Sequence, residues 1–314
     1  SDLLPSAWVI VLPVVALFQV YVQFLLVFYQ VRKRPVWYVV YQLSNTVLNI
    51  GVSVFLIAQW EVGLEGRLVG IAGASIIFGL WAILSVWRNR GGGVFVCSHF
   101  EVPLRFSLPL IPHALSGWIK SSADKILLMV FWGSGAVGEY AVMYQIASIL
   151  SVVFMAINKA LVPYLFGYMK REGFDPVPII GWSKIMVVGV AAVSAGFVMV
   201  VPVVFKLFVS SSFEFDYLVA GLLALGFMFQ GLYLLLVNFF MFYEETKSLA
   251  KIAIVNTVVH LVCTAILVHS LGALGGAIAN CASWGGLLVL LYVVGSRKAF
   301  YPWVSSVRCE VKCP

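Results

Sequence analysis

The chain has 314 residues, 62% hydrophobic and 11% charged, with a mean hydropathy of +1.02 and a formal net charge of +7. Soluble domains carry about 25% charged residues, and no water-soluble core buries this much apolar surface, so the expected class is an α-helical multi-pass membrane protein. Apolar runs of about 20 residues or longer exclude a β-barrel, and basic residues scattered between those runs orient a membrane protein rather than mark a nucleic-acid partner.

Nine spans are expected, at about 5–29, 37–59, 67–87, 106–132, 137–168, 179–209, 217–243, 249–269 and 272–296. The chain opens at Ser1 without an initiator Met or a signal peptide and enters an apolar run almost at once, the pattern of a chain whose beginning is missing. One set of connections holds Arg32, Lys33 and Arg34, then Arg88, Arg90 and Arg105, then Lys170 and Arg171, then Lys247 and Lys251; Arg297, Lys298, Arg308 and Lys312 follow in the tail. The alternate set holds Glu61, Glu65 and Arg67, then Glu139, then Glu214 and Asp216, then the uncharged turn at Gly272. The first set carries 14 of the 20 basic residues and the second carries one, which places the basic connections and the C-terminus in the cytoplasm.

After the third span, the stretch from Arg88 to Arg105 contains Gly91, Gly92 and Gly93 and reads as a linker between two lobes. The fourth span carries Lys120, Asp124 and Lys125. Each charge in hydrocarbon costs roughly 2.5–3.5 kcal/mol on insertion scales, so three in one span need a reason. Lys120 and Asp124 are four residues apart and are expected to neutralise each other on one helix face, leaving Lys125 as a surplus cation for an anion in an aqueous cavity. In the fifth span Lys159, beside Asn158 and four residues before Pro163, is a second candidate for the cavity wall. Lys184 and Lys206 lie near span ends and are expected to snorkel. His113, Asn45, Asn49, Asn256 and His260 read as interior hydrogen-bonding groups. Pro109, Pro112, Gly117, Pro163, Gly181, Gly189 and Gly196 are expected to interrupt helices of the second lobe, while Trp37, Trp60, Trp132, Trp182 and Trp303 fall at expected membrane interfaces.

The first three spans resemble the last three. Phe28, Tyr29 and Lys33 match Phe242, Tyr243 and Lys247 at a separation of 214; Asn45 and Thr46 match Asn256 and Thr257 at 211; Gly63, Gly66 and Arg88 match Gly272, Gly275 and Arg297 at 209. A parallel repeat of this kind implies twelve spans in two six-helix lobes, three of them before Ser1. The expected organisation is residues 1–90 as the second half of the first lobe, 91–105 as linker, 106–298 as the second lobe and 299–314 as a cytoplasmic tail.

No enzyme signature is present: no phosphate-cradling Gly-rich loop with lysine, no Ser/His/Asp or Cys/His set and no metal spacing among the histidines. Cys97, Cys263, Cys281, Cys309 and Cys313 show no metal-ligand spacing either, and the CxxxC of Cys309 and Cys313 reads as two unpaired thiols in a reducing compartment. The expectation is a protein without catalytic residues, metal or cofactor.

The stretch LPLIPHALSGWIKSSADKILLMVFWGSGAVGEYAVMYQIASIL resembles the start of the second lobe of the polysaccharide biosynthesis flippases, the O-antigen type within the multidrug/oligosaccharidyl-lipid/polysaccharide exporter superfamily. The matching elements are LPLIP at 108–112, Ser122, Asp124 and Lys125, and the turn Val137, Gly138, Glu139, Tyr140; FYQVRKRP at 28–35 is similar to that family's fourth-to-fifth helix connection. The resemblance implies a V-shaped, two-lobed bacterial inner-membrane protein of twelve or fourteen helices with a central cationic cavity. It implies movement of an undecaprenyl-diphosphate-linked oligosaccharide, the repeat unit of O-antigen lipopolysaccharide or exopolysaccharide, to the periplasmic leaflet by alternating access. Expected partners are the lipid bilayer, that substrate, and a glycan polymerase and glycosyltransferases. Lys120, Asp124, Lys125, Lys159 and Asn158 are the substrate-binding candidates. Two other readings stay open: a drug or organic-cation antiporter of the same superfamily, which prefers acidic cavity residues, and a non-transporting membrane component of a glycan assembly complex.

Overall fold

A computed structural model describes residues 6–60, 63–88, 101–173, 175–208 and 215–305. Glu61, Arg90, Cys97, Glu214, Arg308, Cys309, Lys312 and Cys313 lie outside the described residues, as do most of the expected linker and tail. Every regular element among the described residues is a helix: α1 (Ser6–Val31), α2 (Pro35–Trp60), α3 (Gly63–Arg88), α4 (Glu101–Ser107), α5 (Leu110–Met169), α6 (Pro176–Phe208), α7 (Tyr217–Phe242), α8 (Thr246–Arg297) and α9 (Pro302–Ser305). Seven of these are long and apolar enough to cross a membrane.

The chain divides into two compact units, Ser1–Phe95 and Val96–Pro314. In the first, α1, α2 and α3 pack around Val22, Leu25, Leu26, Tyr41, Phe78 and Ala82. Tyr41 Oη donates to the Phe78 carbonyl at 2.6 Å. Small residues set the approach of the helices: Gly79 lies against Phe18, and Gly70 against Ser53 and the Asn49 carbonyl.

The second unit is built on two hairpins. The expected spans 106–132 and 137–168 join in the 60-residue α5, and 249–269 and 272–296 join in the 52-residue α8. A straight helix of 60 residues would be about 90 Å long, three times the hydrocarbon thickness. Gly133 (φ 82°) and Gly272 (φ 58°) break these helices, in a backbone region that L side chains avoid. Each chain then folds back: Tyr140 reaches Asp124 across Gly133, and Asn256 reaches Ser283 across Gly272. By contrast, Gly117, Gly181, Gly189 and Gly196 remain inside continuous helix, and Pro112 lies in the first turn of α5, where no donor is missed. The interruptions expected at those glycines therefore do not form; Pro109 does stand at a break, between α4 and α5, and the breaks within α5 and α8 are at the hairpin tips.

The first arms of α5 and α8 run parallel in one register. Lys120 meets Asn256, Asp124 meets His260, and Trp132 Nε1 donates to the Val268 carbonyl at 2.8 Å, each pair separated by 136 residues. At the opposite, basic end, Phe166 packs edge-on against Phe242 and Tyr168 against Trp182. There Lys298 Nζ stands 2.7 Å from Glu245 Oε2 and donates to Ser248 Oγ at 3.0 Å, clamping the two ends of α8. The Lys298 hydrogen bond holds the Glu245 carboxyl below its ordinary pKa. Both side chains are about a third exposed, so this clamp contributes under about 1 kcal/mol.

The internal repeat has a geometric signature. Lys33 (φ 52°) ends α1 and Glu244 (φ 56°) ends α7, each followed by an amide five residues from its acceptor: Arg34 N to Tyr29 O at 2.9 Å, Glu245 N to Phe240 O at 2.9 Å. The separation is 211 through α1, this turn and the start of α2, so the 214 match of Phe28, Tyr29 and Lys33 is corrected. Lys33 stands opposite Glu244 rather than Lys247, because the left-handed residue fixes the register whereas similar apolar residues recur almost every turn. At the next turn, Gly66 lies on Leu56 and Ile57 as Gly275 lies on Leu267 and Val268, at the expected 209.

Candidate functional site

The site grows from the first arm of α5, where apolar residues alternate with Ser116, Lys120, Ser121 and Asp124. Lys120 lies ten residues into α5, about 15 Å from its start and so near mid-depth. It is 4% exposed. Its ammonium donates to Asn256 Oδ1 at 3.2 Å and stands 4.0 Å over the Trp284 ring. Asn256 is held in turn: its amide donates to the Ser283 carbonyl at 3.0 Å and its oxygen accepts from Ser283 Oγ at 3.0 Å.

Asp124 is fully buried and closed off from Lys120. Its Oδ2 accepts from Tyr140 Oη at 2.8 Å, and His260 Nε2 stands 3.5 Å from Oδ1. The expected neutralisation of Lys120 by Asp124 does not form. Helix side chains lean toward the N-terminus, so the lysine points away from a carboxylate four residues ahead of it, and the lysine-first order is the weaker one. Its Oδ2 is held instead by the second arm of α5, while Oδ1 faces His260 of α8 and accepts no hydrogen bond among the described residues. Asp124→Leu strips Tyr140 and His260 of their partner and is expected to lower stability by about 2 kcal/mol, whereas Asp124→Asn keeps an acceptor for Tyr140 and loses less than half of that. Equal unfolding midpoints of the two variants in detergent would contradict this arrangement.

Lys125 is half-buried; its ammonium donates to the Ser121 carbonyl at 2.7 Å and lies 3.8 Å over the Tyr144 ring. It thus bends back along its own helix and does not reach the membrane surface. A cavity of about 330 Å³ opens beside these groups, lined by Lys120 and Ser121 from the first arm of α5, Tyr144, Ser148 and Ser151 from its second, Gln230 from α7 and Asn280 and Trp284 from α8. Gln230 Oε1 and Asn280 Oδ1 are buried and accept no hydrogen bond within the protein.

Of the five candidates read from sequence, only Lys120 lines this cavity. Lys125 stands behind the Tyr144 ring. Asn158 accepts from Asn238 Nδ2 at 2.7 Å and ties α5 to α7, and Lys159 is exposed on the same arm. His113 meets Tyr233 Oη at 2.6 Å, an interior hydrogen bond as expected. Tyr140, Tyr144, Gln230, Asn280 and Trp284 were not legible as partners, since nothing local marks Tyr140, 16 residues on, as facing Asp124 or Trp284, 164 residues on, as facing Lys120. Among the described residues no group of His, Cys, Asp and Glu is placed to hold a metal ion.

A family model described as "Polysaccharide biosynthesis protein" matches residues 2–169. The chain is 26% identical over 299 residues to an "Uncharacterized membrane protein" of Haemophilus influenzae, covering 90% of this chain and 70% of that one. It is 23% identical over 257 residues to "Lsg locus putative protein 1" of the same organism, covering 78% of this chain and 63% of the relative, under two thirds of its length. No solved structure matches the chain significantly.

Proposed function

We propose, from the premise that the chain belongs to the polysaccharide biosynthesis protein family, that this multi-pass membrane protein moves an undecaprenyl-diphosphate-linked oligosaccharide across a bacterial inner membrane by alternating access. Membership places it in polysaccharide synthesis or export. The observation that carries the finer reading is Lys120: a buried ammonium at mid-depth, presented to a cavity walled by three aromatic rings, three serine hydroxyls and two amides. A cation suits the diphosphate. Sugar hydroxyls suit the serine hydroxyls and the side-chain amides of Gln230 and Asn280, and aromatic faces suit the C–H face of a sugar ring. Binding drives the transport cycle only as far as its affinity differs between the two states.

In this reading the basic ends of the helices face the cytoplasm, and the transporter feeds a glycan polymerase with units built by glycosyltransferases. An organic-cation antiporter would need an acid open to the cavity, and Asp124 is enclosed by Tyr140 and His260 instead. The test is surface glycan in a strain that depends on this gene, with membrane protein measured in parallel. Lys125→Ala and Lys159→Ala, whose side chains stand outside the cavity, are each expected to leave surface glycan within about twofold of wild type at unchanged protein level, in contrast to a change at Lys120. A several-fold loss in either variant at normal Lys120 would move the site away from this cavity. Flipping of a fluorescent lipid-linked oligosaccharide by the protein in liposomes tests the activity itself, and no transfer above empty liposomes would end the proposal.

A further inference from the structure

A second cavity lies apart from the Lys120 site. It is a groove of about 660 Å³ between α6, α7 and the second arm of α8, walled by Val187 and Val188, by Leu232, Leu235 and Leu236, and by Leu288. Helix α6 packs on α7 and α9 but leaves α8 largely untouched, which opens the groove. The wall is almost purely hydrocarbon, and the two polar residues that touch it are Ser183 and Lys184. From the geometry we infer that this groove holds an anionic phospholipid of the leaflet at the basic end, with one acyl chain against the leucines and valines and its phosphate on Lys184.

Depth supports this assignment. Helix α6 has 33 residues and is about 50 Å long, so centred on a hydrocarbon core of about 30 Å it extends about 10 Å beyond each face. Lys184 is eight residues, about 12 Å, from Pro176 and therefore falls at the hydrocarbon boundary. Its stem leans toward the helix N-terminus, the basic end, and carries the ammonium to headgroup level. Among the described residues no hydrogen bond or ion pair reaches that ammonium, and the side chain is exposed. At the same end Tyr292 and Trp303, which line the groove, stack on the buried Tyr301, at 5.9 Å and 5.1 Å between successive centroids.

The chemistry of the wall selects the occupant. A transmembrane helix docks on small residues that let backbones approach, and this wall is bulky and branched throughout. Between Ile180 and Val188 the groove runs about 12 Å along α6, from headgroup level to about half the depth of one leaflet, which suits the upper part of an acyl chain and is short for a polyprenyl chain. A site of this kind would tether α6, the helix with the fewest protein neighbours in its unit apart from the short ones, and it is independent of the substrate reading.

The experiment is native mass spectrometry of the protein taken from nanodiscs of equal phosphatidylglycerol and phosphatidylcholine with matched chains. The wild type is expected to retain phosphatidylglycerol about fivefold over phosphatidylcholine, the order expected of one lysine at the surface. Lys184→Gln is expected to bring the ratio near one, Lys184→Arg to restore it, and Leu288→Trp to expel both lipids. Equal retention of the two lipids by the wild type, or an unchanged ratio in Lys184→Gln, overturns the inference even if the tryptophan variant fails to fold. Displacement of the retained lipid by undecaprenyl phosphate overturns it in favour of a prenyl site.

Discussion

Lys120→Gln is expected to cut surface glycan to under about a tenth while leaving the protein in the membrane at its normal level. An ammonium has three N–H donors. One goes to Asn256, and a second is directed at the Trp284 ring, so the third is available to a ligand in the cavity. A hydrogen bond to a charged partner contributes about 1.5–3 kcal/mol, which is ten- to a hundredfold in binding. Folding tolerates the change for two reasons. Removing a charge from mid-depth relieves a cost of roughly 2.5–3.5 kcal/mol, and Asn256 keeps both of its bonds to Ser283. Export at the wild-type level with Lys120→Gln would remove the cavity from the transport pathway, and loss of the protein from the membrane would make Lys120 a structural residue.

The sequence made the helices legible and left their partners obscure, for physical reasons visible at particular residues. Apolar runs mark the helices because every backbone polar group in hydrocarbon must be satisfied within its own segment. The breaks at Gly133 and Gly272 fall where the runs pause, although the chain turns there on single glycines instead of on loops. Asn45 and Asn256 identified the correct repeat register because polar residues in a span are few; the Phe and Tyr pair misled because aromatic residues are many. Lys120 was visible as a costly charge, but its spacing from Asp124 suggested the wrong partner. Spacing says which residues share a helix face, and the lean of the side chain decides which of them meet. Asn256 and His260 read as interior hydrogen-bonding groups; they do bond between helices, and they are the separate partners that Lys120 and Asp124 take in place of each other. That arrangement depends on the 136-residue register between the first arms of α5 and α8, which no local pattern encodes.

The same register makes Gly275 the most sensitive position in the fold. A methyl added there would overlap the carbonyl carbon and oxygen of Leu267 and stand 2.8 Å from the Val268 amide nitrogen. These are backbone atoms, so no change of rotamer relieves the overlap, and the α8 hairpin must open. The next carbonyl, that of Val268, accepts from Trp132, and Trp132 also packs on Gly272, so the strain passes to the tip of α5. Overpacking of a core typically costs about 1–3 kcal/mol where side chains can shift. Gly275→Ala is therefore expected to exceed about 3 kcal/mol, seen as loss of the monodisperse species in detergent chromatography. Two controls bracket it. Gly133→Ala meets open space and carries only the backbone penalty of about 1–3 kcal/mol for a side chain in the glycine-favouring region at φ 82° and ψ −176°. Gly66→Ala, the repeat counterpart, would stand 3.2 Å from Leu56 Cβ and Ile57 Cγ1, a tight approach relieved by a shift of a few tenths of an ångström, and is expected to cost about 1 kcal/mol. If Gly275→Ala is no worse than Gly66→Ala, the arms of α8 do not approach as closely as described, and the parallel register that seats Asn256 beside Lys120 loses its cause.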